Sequence, residues 1–543
     1  MTPFGAPPKT YAYPGAASIG QAVLDRCTIL KQPFVPTPWA VNGHAQSALG
    51  VLRTLTAKGS YTRQLVMADD GGTLALDWWA GADRPGYAAP DTPVAFFIHG
   101  INGGSHEGYI KWACIAAAAR GWRAVVLNLR GCNGLDVSSP RGYNALQTHD
   151  VHVALSSVSR RFPAAPLFAV GYSLGSVLLA KFVAEADSGL HGPSPAVEGA
   201  ARAAAEGKAG SKAHGGGGGG SAWGRLSGSG LVAVALVSAP VCLHCTNARL
   251  AAPSPDLLYN LAVAYKLREY VREHLTSLAA HGVELDPGAL AAVGWTVGAF
   301  DDAITLKQLG YSDGEDYYRH ACTTNYLPHI RTPTLLLVAQ DDPFLGYLPA
   351  AEVCANPFLA LAVARRGGHL GFLSGAWPLG VSYADAAVDD WLASALDLAA
   401  EPGARGASWE ARAAALGWEP PPGESHTVGA LTGARCNCLE RTRPDVVAAR
   451  AAAAAAPSAG GGRGAPAAAE DLRRWRLEDV LRRPPPPGTQ RSVARWLALL
   501  GRGGKDAGAG AVAADGEAAR VAVPSVTLEV PSPTLDRRPN SRL

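Results

Sequence analysis

A mostly parallel β-sheet with helices on both faces is the fold class this sequence predicts, and three observations predict it. Val94–Ile98 and, after its first residue, Thr334–Ala339 are continuous apolar runs instead of alternating, as strands covered on both faces must be. These runs take turns with stretches of helical patterning, the rhythm of successive strand–helix units. At Ala169–Lys181, reading AVGYSLGSVLLAK, one apolar run passes into another through Gly171-Tyr172-Ser173-Leu174-Gly175. That is a strand, a very tight turn and a helix, with glycines where side chains would block so close an approach.

Taken in order, residues 1–33 read as poorly ordered and residues 34–400 as one domain. An aromatic and polar entry segment, Phe34–Trp39 and Asn42–Gln46, precedes two strands, Thr62–Ala68 and Thr73–Trp79, with Asp69–Gly72 as the hairpin turn. The strand Val94–Ile98 leads through His99-Gly100 into the glycine-rich loop Ile101–Ser105 and a helix over Tyr109–Arg120. Ala124–Gly131 is the next buried strand, Asn144–Arg160 the next helix, and the helix after Ser173 runs to about Ala186. Residues 188–230, with six consecutive glycines from Gly215 to Gly220, read as a flexible surface insertion. The sheet resumes at Leu231–Pro240. Residues 241–330 carry helical patterns, among them Leu257–Thr276 and Ala289–Leu309, which predict a helical cap over the sheet's C-terminal edge. Thr334–Ala339 and Leu359–Arg365 supply two more strands, and Ala384–Leu398 a closing helix. Residues 401–543 degrade into Ala, Gly, Pro and Arg and read as a largely disordered tail. Within it, Val493, Trp496, Leu497 and Leu500 with Arg491 and Arg495 form a short basic amphipathic pattern, suited to peripheral membrane contact.

Bulk properties narrow the function classes. The 543 residues, with 63 Gly and 40 Pro, exceed what one compact domain needs. A net charge of +3 gives no argument for a nucleic acid partner. No apolar stretch is long enough to span a membrane, and the N-terminal residues lack a signal core. Nine cysteines, an odd number without framework spacing, point to reduced thiols inside a cell. Cys242-Leu-His-Cys245 and Cys436-Asn-Cys438 lack a second pair at a matching interval, so neither predicts a metal site.

Ser173, at the apex of its turn, has the exposure a nucleophile requires, and the first N–H groups of the helix point where it would attack. A serine hydroxyl needs a base to take its proton, usually a histidine oriented by a carboxylate. Both occur, in the order Ser–Asp–His. Asp341-Asp342-Pro343-Phe344 follows the strand 334–339, and Gly367-Gly368-His369 follows the strand 359–365. Asp342 and His369 are the expected partners of Ser173, with Asp341 as the alternative acid. The N–H groups of Leu174 and Ile101 are the expected donors to an oxyanion, and His99 reads as a structural residue shaping its loop.

The chain resembles the α/β-hydrolase superfamily, and within it the AB hydrolase-4 family, from about Phe34 to Leu398. The resemblance is carried by Pro36-Thr-Pro-Trp39 with Asn42-Gly-His44 and Gln46, and by Asp70-Gly-Gly72 with Leu76-Asp-Trp78. It continues in His99–Ser105 with Tyr109-Ile110, Asn128–Cys132, Gly171–Gly175, Asp341–Phe344, Gly368-His369, and Phe300-Asp301 with Tyr317-Tyr318 in the cap. It implies a serine hydrolase acting on carboxylic esters, with acylglycerols or phospholipids as substrates, and neither metal nor organic cofactor. The alternatives are a non-catalytic ligand-binding protein of the same fold, or an acyltransferase using the same acyl-enzyme. The fifth residue after His369 is Ser374, so an H-x-x-x-x-D acyltransfer signature is absent. Val241-Cys242 departs from the family, as do the glycine-rich insertion, the long tail and the lack of an N-terminal anchor. Ser541-Arg542-Leu543 is similar to the peroxisomal import address and reads either as that address or as chance in a Ser- and Arg-bearing tail. The expected location is accordingly cytoplasmic or peroxisomal.

Overall fold

Six strands run parallel at the centre of the sheet, and their contents explain why. The computed structural model describes residues 5–80, 89–191, 223, 226–283, 294–401 and 407–419, with the backbone of 527–528. The parallel strands are β4 (Val94–Ile98), β5 (Arg123–Asn128), β6 (Leu167–Tyr172), β7 (Ala233–Val237), β8 (Thr334–Ala339) and β9 (Leu359–Ala364), all buried throughout. Antiparallel strands flank them: β1 (Lys9–Ala12) on β9, and β3 (Thr73–Trp79) on β5 with β2 (Tyr61–Met67) outside it. A two-residue strand β10 (Thr527–Leu528) lies parallel to β2, completing the order β1-β9-β8-β7-β6-β4-β5-β3-β2-β10.

Each central strand feeds two cores. In β4, Val94, Phe96 and Ile98 pack on one face and Ala95 and Phe97 on the other, which is why the run cannot alternate with polar residues. One face is covered by α1 (Ile19–Leu24), α3 (Gly108–Ala119) and α13 (Tyr383–Ala400), and the other by α4 (Thr148–Arg161), α5 (Leu174–Asp187) and α12 (Ala350–Ala355). Helix α2 (Gly43–Gly50) sits beyond the C-terminal edge. The strand order reverses between β4 and β6, and the C-terminal end of a sheet at such a switch point is where α/β folds bind ligands.

Residues 241–330 carry α6 (Leu243–Ala251), α7 (Leu257–Glu273), α8 (Leu275–Ala280), α9 (Val297–Phe300), α10 (Leu306–Leu309) and α11 (Gly314–Ala321), with no strand among the described residues. The helix expected over Ala289–Leu309 is broken: residues 289–293 lie outside the described residues, and a π-helical turn, Asp301–Thr305, separates α9 from α10.

Three expectations need correction. Residues 1–33 were expected to be poorly ordered, yet Lys9–Ala12 pairs residue for residue with 360–363, and Ile19, Val23 and Leu24 are buried against α13. The tail does not begin at 401: α14 (Trp409–Ala415) packs on the core with Trp409 fully buried, its indole N–H donating to the Val232 carbonyl at 3.2 Å. The insertion read over 188–230 is narrower, since Leu226 and Ser227 are buried and the Ser227 hydroxyl donates to the Leu231 carbonyl at 2.9 Å. The polyglycine run, the amphipathic pattern at 493–500, Cys436, Cys438 and the C-terminal tripeptide lie outside the described residues. Among those described, no helix is long and apolar enough to cross a membrane.

Candidate active site

Ser173 stands between β6 and α5 with φ 52° and ψ −117°, a backbone conformation that a non-glycine residue adopts only at a cost. Its neighbours explain how the turn closes. A Cβ on Gly171 would lie 2.5 Å from the Gly175 carbonyl oxygen, and one on Gly175 would lie 2.4 Å from that of Ile98. The Ser176 hydroxyl donates to the Gly171 carbonyl at 2.7 Å and pins the turn from inside.

The hydroxyl of Ser173 lies 2.8 Å from Nε2 of His369, whose Nδ1 lies 3.0 and 3.1 Å from the two carboxylate oxygens of Asp342. An ionised carboxylate can only accept, so Nδ1 carries the proton and Nε2 presents its lone pair to the serine. Asp342 is 1 % exposed, and its Oδ1 also accepts the Phe344 N–H at 2.8 Å. Asp341 faces elsewhere: its Oδ1 accepts the Gly368 N–H at 2.9 Å, and its Oδ2 lies 3.8 Å from Arg366. Burial pushes its carboxyl above the ordinary range. Of the adjacent acids, only Asp342 touches the imidazole.

The entry segment braces these loops. Asn42 caps α2 by accepting the Ala45 N–H, and Gly43 lies so close to Asp341 that a Cβ would sit 1.9 Å from its carbonyl oxygen. Gln46, fully buried, donates to the Ala40 carbonyl and accepts the Leu373 N–H, both at 2.6 Å. The Ser47 hydroxyl accepts the His369 N–H at 2.7 Å, and that of Ser238 accepts the Leu370 N–H at 3.1 Å. Neither serine was singled out from the sequence. A side chain bonded to a backbone more than a hundred residues away leaves no local pattern.

The loop after β4 is held by neutral groups. His99 is fully buried; its Nε2 lies 3.2 Å from the Leu129 N–H and its Nδ1 2.6 Å from the Gly100 carbonyl. The first contact makes Nε2 an acceptor, so Nδ1 donates and the ring is neutral; burial lowers its pKa to about 4. The Tyr109 hydroxyl accepts the Gly100 N–H at 3.0 Å. Behind them, Asp77 accepts two bonds from Arg63 at 2.7 and 2.8 Å and one from the Ser105 hydroxyl at 2.6 Å. Asp70 and Asp150 similarly grip Arg130, whose guanidinium occupies the space a side chain on Gly72 would need.

Ser173, Ile101 and Leu174 open together onto a cavity of about 160 Å³ beneath the helices of residues 241–330. Its wall is mostly apolar, with Leu250, Leu267, Val271 and Phe300, and with the Phe344 ring tilted against that of His369, their centroids 4.1 Å apart. Among its polar lining residues, which include Asn144, Asn247 and Gln308, Asp301 carries the carboxylate; it accepts the Tyr318 hydroxyl at 2.5 Å and the Thr305 hydroxyl at 2.7 Å, with burial raising its pKa to about 6. Away from the cavity wall, the sulfurs of Cys242 and Cys322 lie 3.6 Å apart, and Cys242 accepts the Cys245 N–H at the start of α6. Among the described residues no group of three or more His, Cys, Asp or Glu is arranged to hold a metal ion.

The strand order, the strained serine and the cavity above it define an α/β-hydrolase, and residues 93–193 match the family model for the alpha/beta hydrolase fold. More narrowly, the chain is similar to members of the AB hydrolase-4 family of that superfamily. It is 28 % identical over 374 residues to phospholipase ABHD3 of Homo sapiens, covering 68 % of this chain and 81 % of the relative. It is also 28 % identical over 374 residues to the putative esterase YheT of Escherichia coli K12, covering 67 % of this chain and 94 % of that one. A monoacylglycerol lipase of Saccharomyces cerevisiae is 25 % identical over 373 residues, covering 61 % and 74 %.

Proposed function

We propose that this chain is a serine hydrolase that cleaves carboxylic esters of lipid-like substrates through an acyl-enzyme on Ser173. Its relatives named phospholipase, esterase and monoacylglycerol lipase support the ester-hydrolase class. The observation that carries the mechanism is the unbroken relay from the Ser173 hydroxyl through His369 to the buried Asp342, set at the floor of an apolar cavity. Ser173 Oγ attacks the ester carbonyl as Nε2 of His369 takes its proton, and Asp342 stabilises the resulting imidazolium. Backbone N–H groups of Leu174 and Ile101 receive the developing oxyanion, each worth about 10²–10³ in rate in comparable enzymes. His369 then returns its proton to the departing alkoxide. Water, deprotonated by the same imidazole, cleaves the acyl-enzyme to release the acid and free Ser173.

The cavity's aliphatic wall suits an acyl chain, which supports acylglycerol or phospholipid esters over small polar ones. Asp301 and Tyr318 provide a hydrogen-bonded polar pair on that wall. The helices within residues 241–330 act as the cap of the site, and the described residues from 5 to 401 with 407–419 form the hydrolase domain. A fluorophosphonate probe tests the assignment, since it phosphonylates an activated serine. Labelling is expected for the wild type and absent for Ser173→Ala; equal labelling of both removes Ser173 from the mechanism.

A further inference from the structure

Twelve large apolar side chains stand exposed among the described residues, and their distribution is uneven: six lie between residues 35 and 55 and three between 377 and 381. Scattered exposed apolar residues are ordinary on a folded protein, but a contiguous set is not. These two segments are joined. The Trp39 indole N–H donates to the Ala376 carbonyl at 2.8 Å, and its ring meets that of Trp377 edge-on at 6.4 Å. Arg53 donates to the Gly380 carbonyl at 3.1 Å, Thr56 to that of Leu379, and Pro36 bridges Ser374. The result is one surface on which Leu55 is 76 % and Trp377 82 % exposed.

Its charge pattern is one-sided. The sequence has no Asp or Glu between Asp25 and Asp69, and none from Gly367 to Ala384. Exposed Lys31 and Lys58 stand in sequence at the two ends of the first segment, whereas Arg53 is buried and already paired with Asp385. Segments that bring indoles and aliphatic side chains and no carboxylate of their own, with a lysine at each sequence end of the first, complement the interface of an anionic bilayer, where indoles settle and cations meet lipid phosphates and carboxylates. A symmetric dimer through the same surface would set like patch on like patch and bring cations of one sign together. The surface is the outer side of the brace: α2 runs directly into Val51–Leu55, and its Ser47 holds the His369 N–H.

We infer that this surface, centred on Trp39, Leu55 and Trp377, docks the protein on an anionic lipid bilayer, placing the helix that holds His369 between the lipid and the catalytic relay. It is distinct from the amphipathic pattern at 493–500. It does not rest on the hydrolase assignment, because vesicle binding is read without turnover.

The test uses the full chain and the double variant Leu55→Asp/Trp377→Asp, with co-flotation on vesicles of phosphatidylcholine containing phosphatidylserine and on vesicles of phosphatidylcholine alone. Wild type is expected to bind the anionic vesicles at least about tenfold more tightly than the neutral ones, and the variant to lose about tenfold or more of that binding. Turnover of a short water-soluble ester, where measurable, is expected to stay within about twofold, since neither residue lines the cavity. The proposal is overturned if wild type ignores anionic vesicles or binds neutral ones equally well. It is also overturned if the variant binds as wild type does, or if the variant's loss of binding coincides with the splitting of a solution dimer.

Discussion

The adjacent acids Asp341 and Asp342 offer a sharp test, because one chain position separates them and the structure gives them different work. In Asp342→Asn, an amide replaces the carboxylate whose two oxygens lie 3.0 and 3.1 Å from Nδ1 of His369. Its NH2 can meet the imidazole only if the ring turns or its proton moves to Nε2, where it no longer accepts from Ser173. The equivalent change in a serine protease lowers kcat by about 10⁴, or about 5.4 kcal/mol of transition-state stabilisation, and a similar loss is expected here. Asp341→Asn keeps an oxygen for the Gly368 N–H and forfeits only a pair with Arg366 at 3.8 Å, whose side chain is 44 % exposed. Solvent screening limits such a pair to about 1 kcal/mol or less, so less than about tenfold is expected. Steady-state kcat/KM on a p-nitrophenyl ester and the rate of fluorophosphonate labelling measure both, with circular dichroism to show that each variant folds. If the two substitutions cost equally, or if Asp342→Asn retains more than about a tenth of wild-type activity, the relay drawn from this geometry is wrong.

Two further predictions concern the scaffold. Folded His99 stays neutral down to about pH 4, whereas in the unfolded chain it takes a proton near 6.5, so the unfolded state holds the extra proton between these values. Its contribution is therefore complete above pH 6.5 and falls on acidification through the window, by up to about 3 kcal/mol. Urea midpoints at about pH 7.5 and about pH 5 should show a smaller acid loss in His99→Gln than in wild type, and identical losses would contradict the neutral-ring assignment. Trp409→Ala should cost about 3–5 kcal/mol, because the indole is fully buried and hydrogen-bonded to Val232; a thermal midpoint unchanged by the substitution would place 407–419 outside the folded unit.

What the sequence made legible follows from the range of each signal. Strands buried on both faces announce themselves as apolar runs, and the turn at Ser173 does so through two glycines spaced four apart between a strand and a helix, one crowded by the turn itself and the other by the end of β4. The loops bearing Asp342 and His369 could be placed because each follows such a strand. The choice between Asp341 and Asp342 could not be made firmly from spacing, since it depends on which carboxylate a loop turns toward the imidazole. The N-terminal strand Lys9–Ala12 escaped because four residues on a sheet edge carry no period, and only their pairing with β9 orders them. Trp409 escaped because one anchoring aromatic in an alanine- and glycine-rich setting leaves average composition unchanged.

The site's geometry has its origin in the wide separation of its parts. Ser173 is positioned by its own turn, but His369 sits in a glycine-rich loop in which Gly367, Gly368, Leu370 and Phe372 all have positive φ. Such a loop has no regular hydrogen bonding to fix it, so its direction must come from outside. Beside the Asp341 carboxylate at the Gly368 N–H, three groups supply it: Ser47 at the His369 N–H, Ser238 at the Leu370 N–H and Gln46 at residue 373. Two of the three belong to α2, which approaches Asp341 closely enough that Gly43 can carry no side chain. The segment 34–50, which contributes no group to the contacts among Ser173, His369 and Asp342, therefore helps hold His369 at bonding distance from Ser173. That gives a physical reason for the Asn-Gly-His and Gln46 pattern to accompany a site formed from residues 173, 342 and 369.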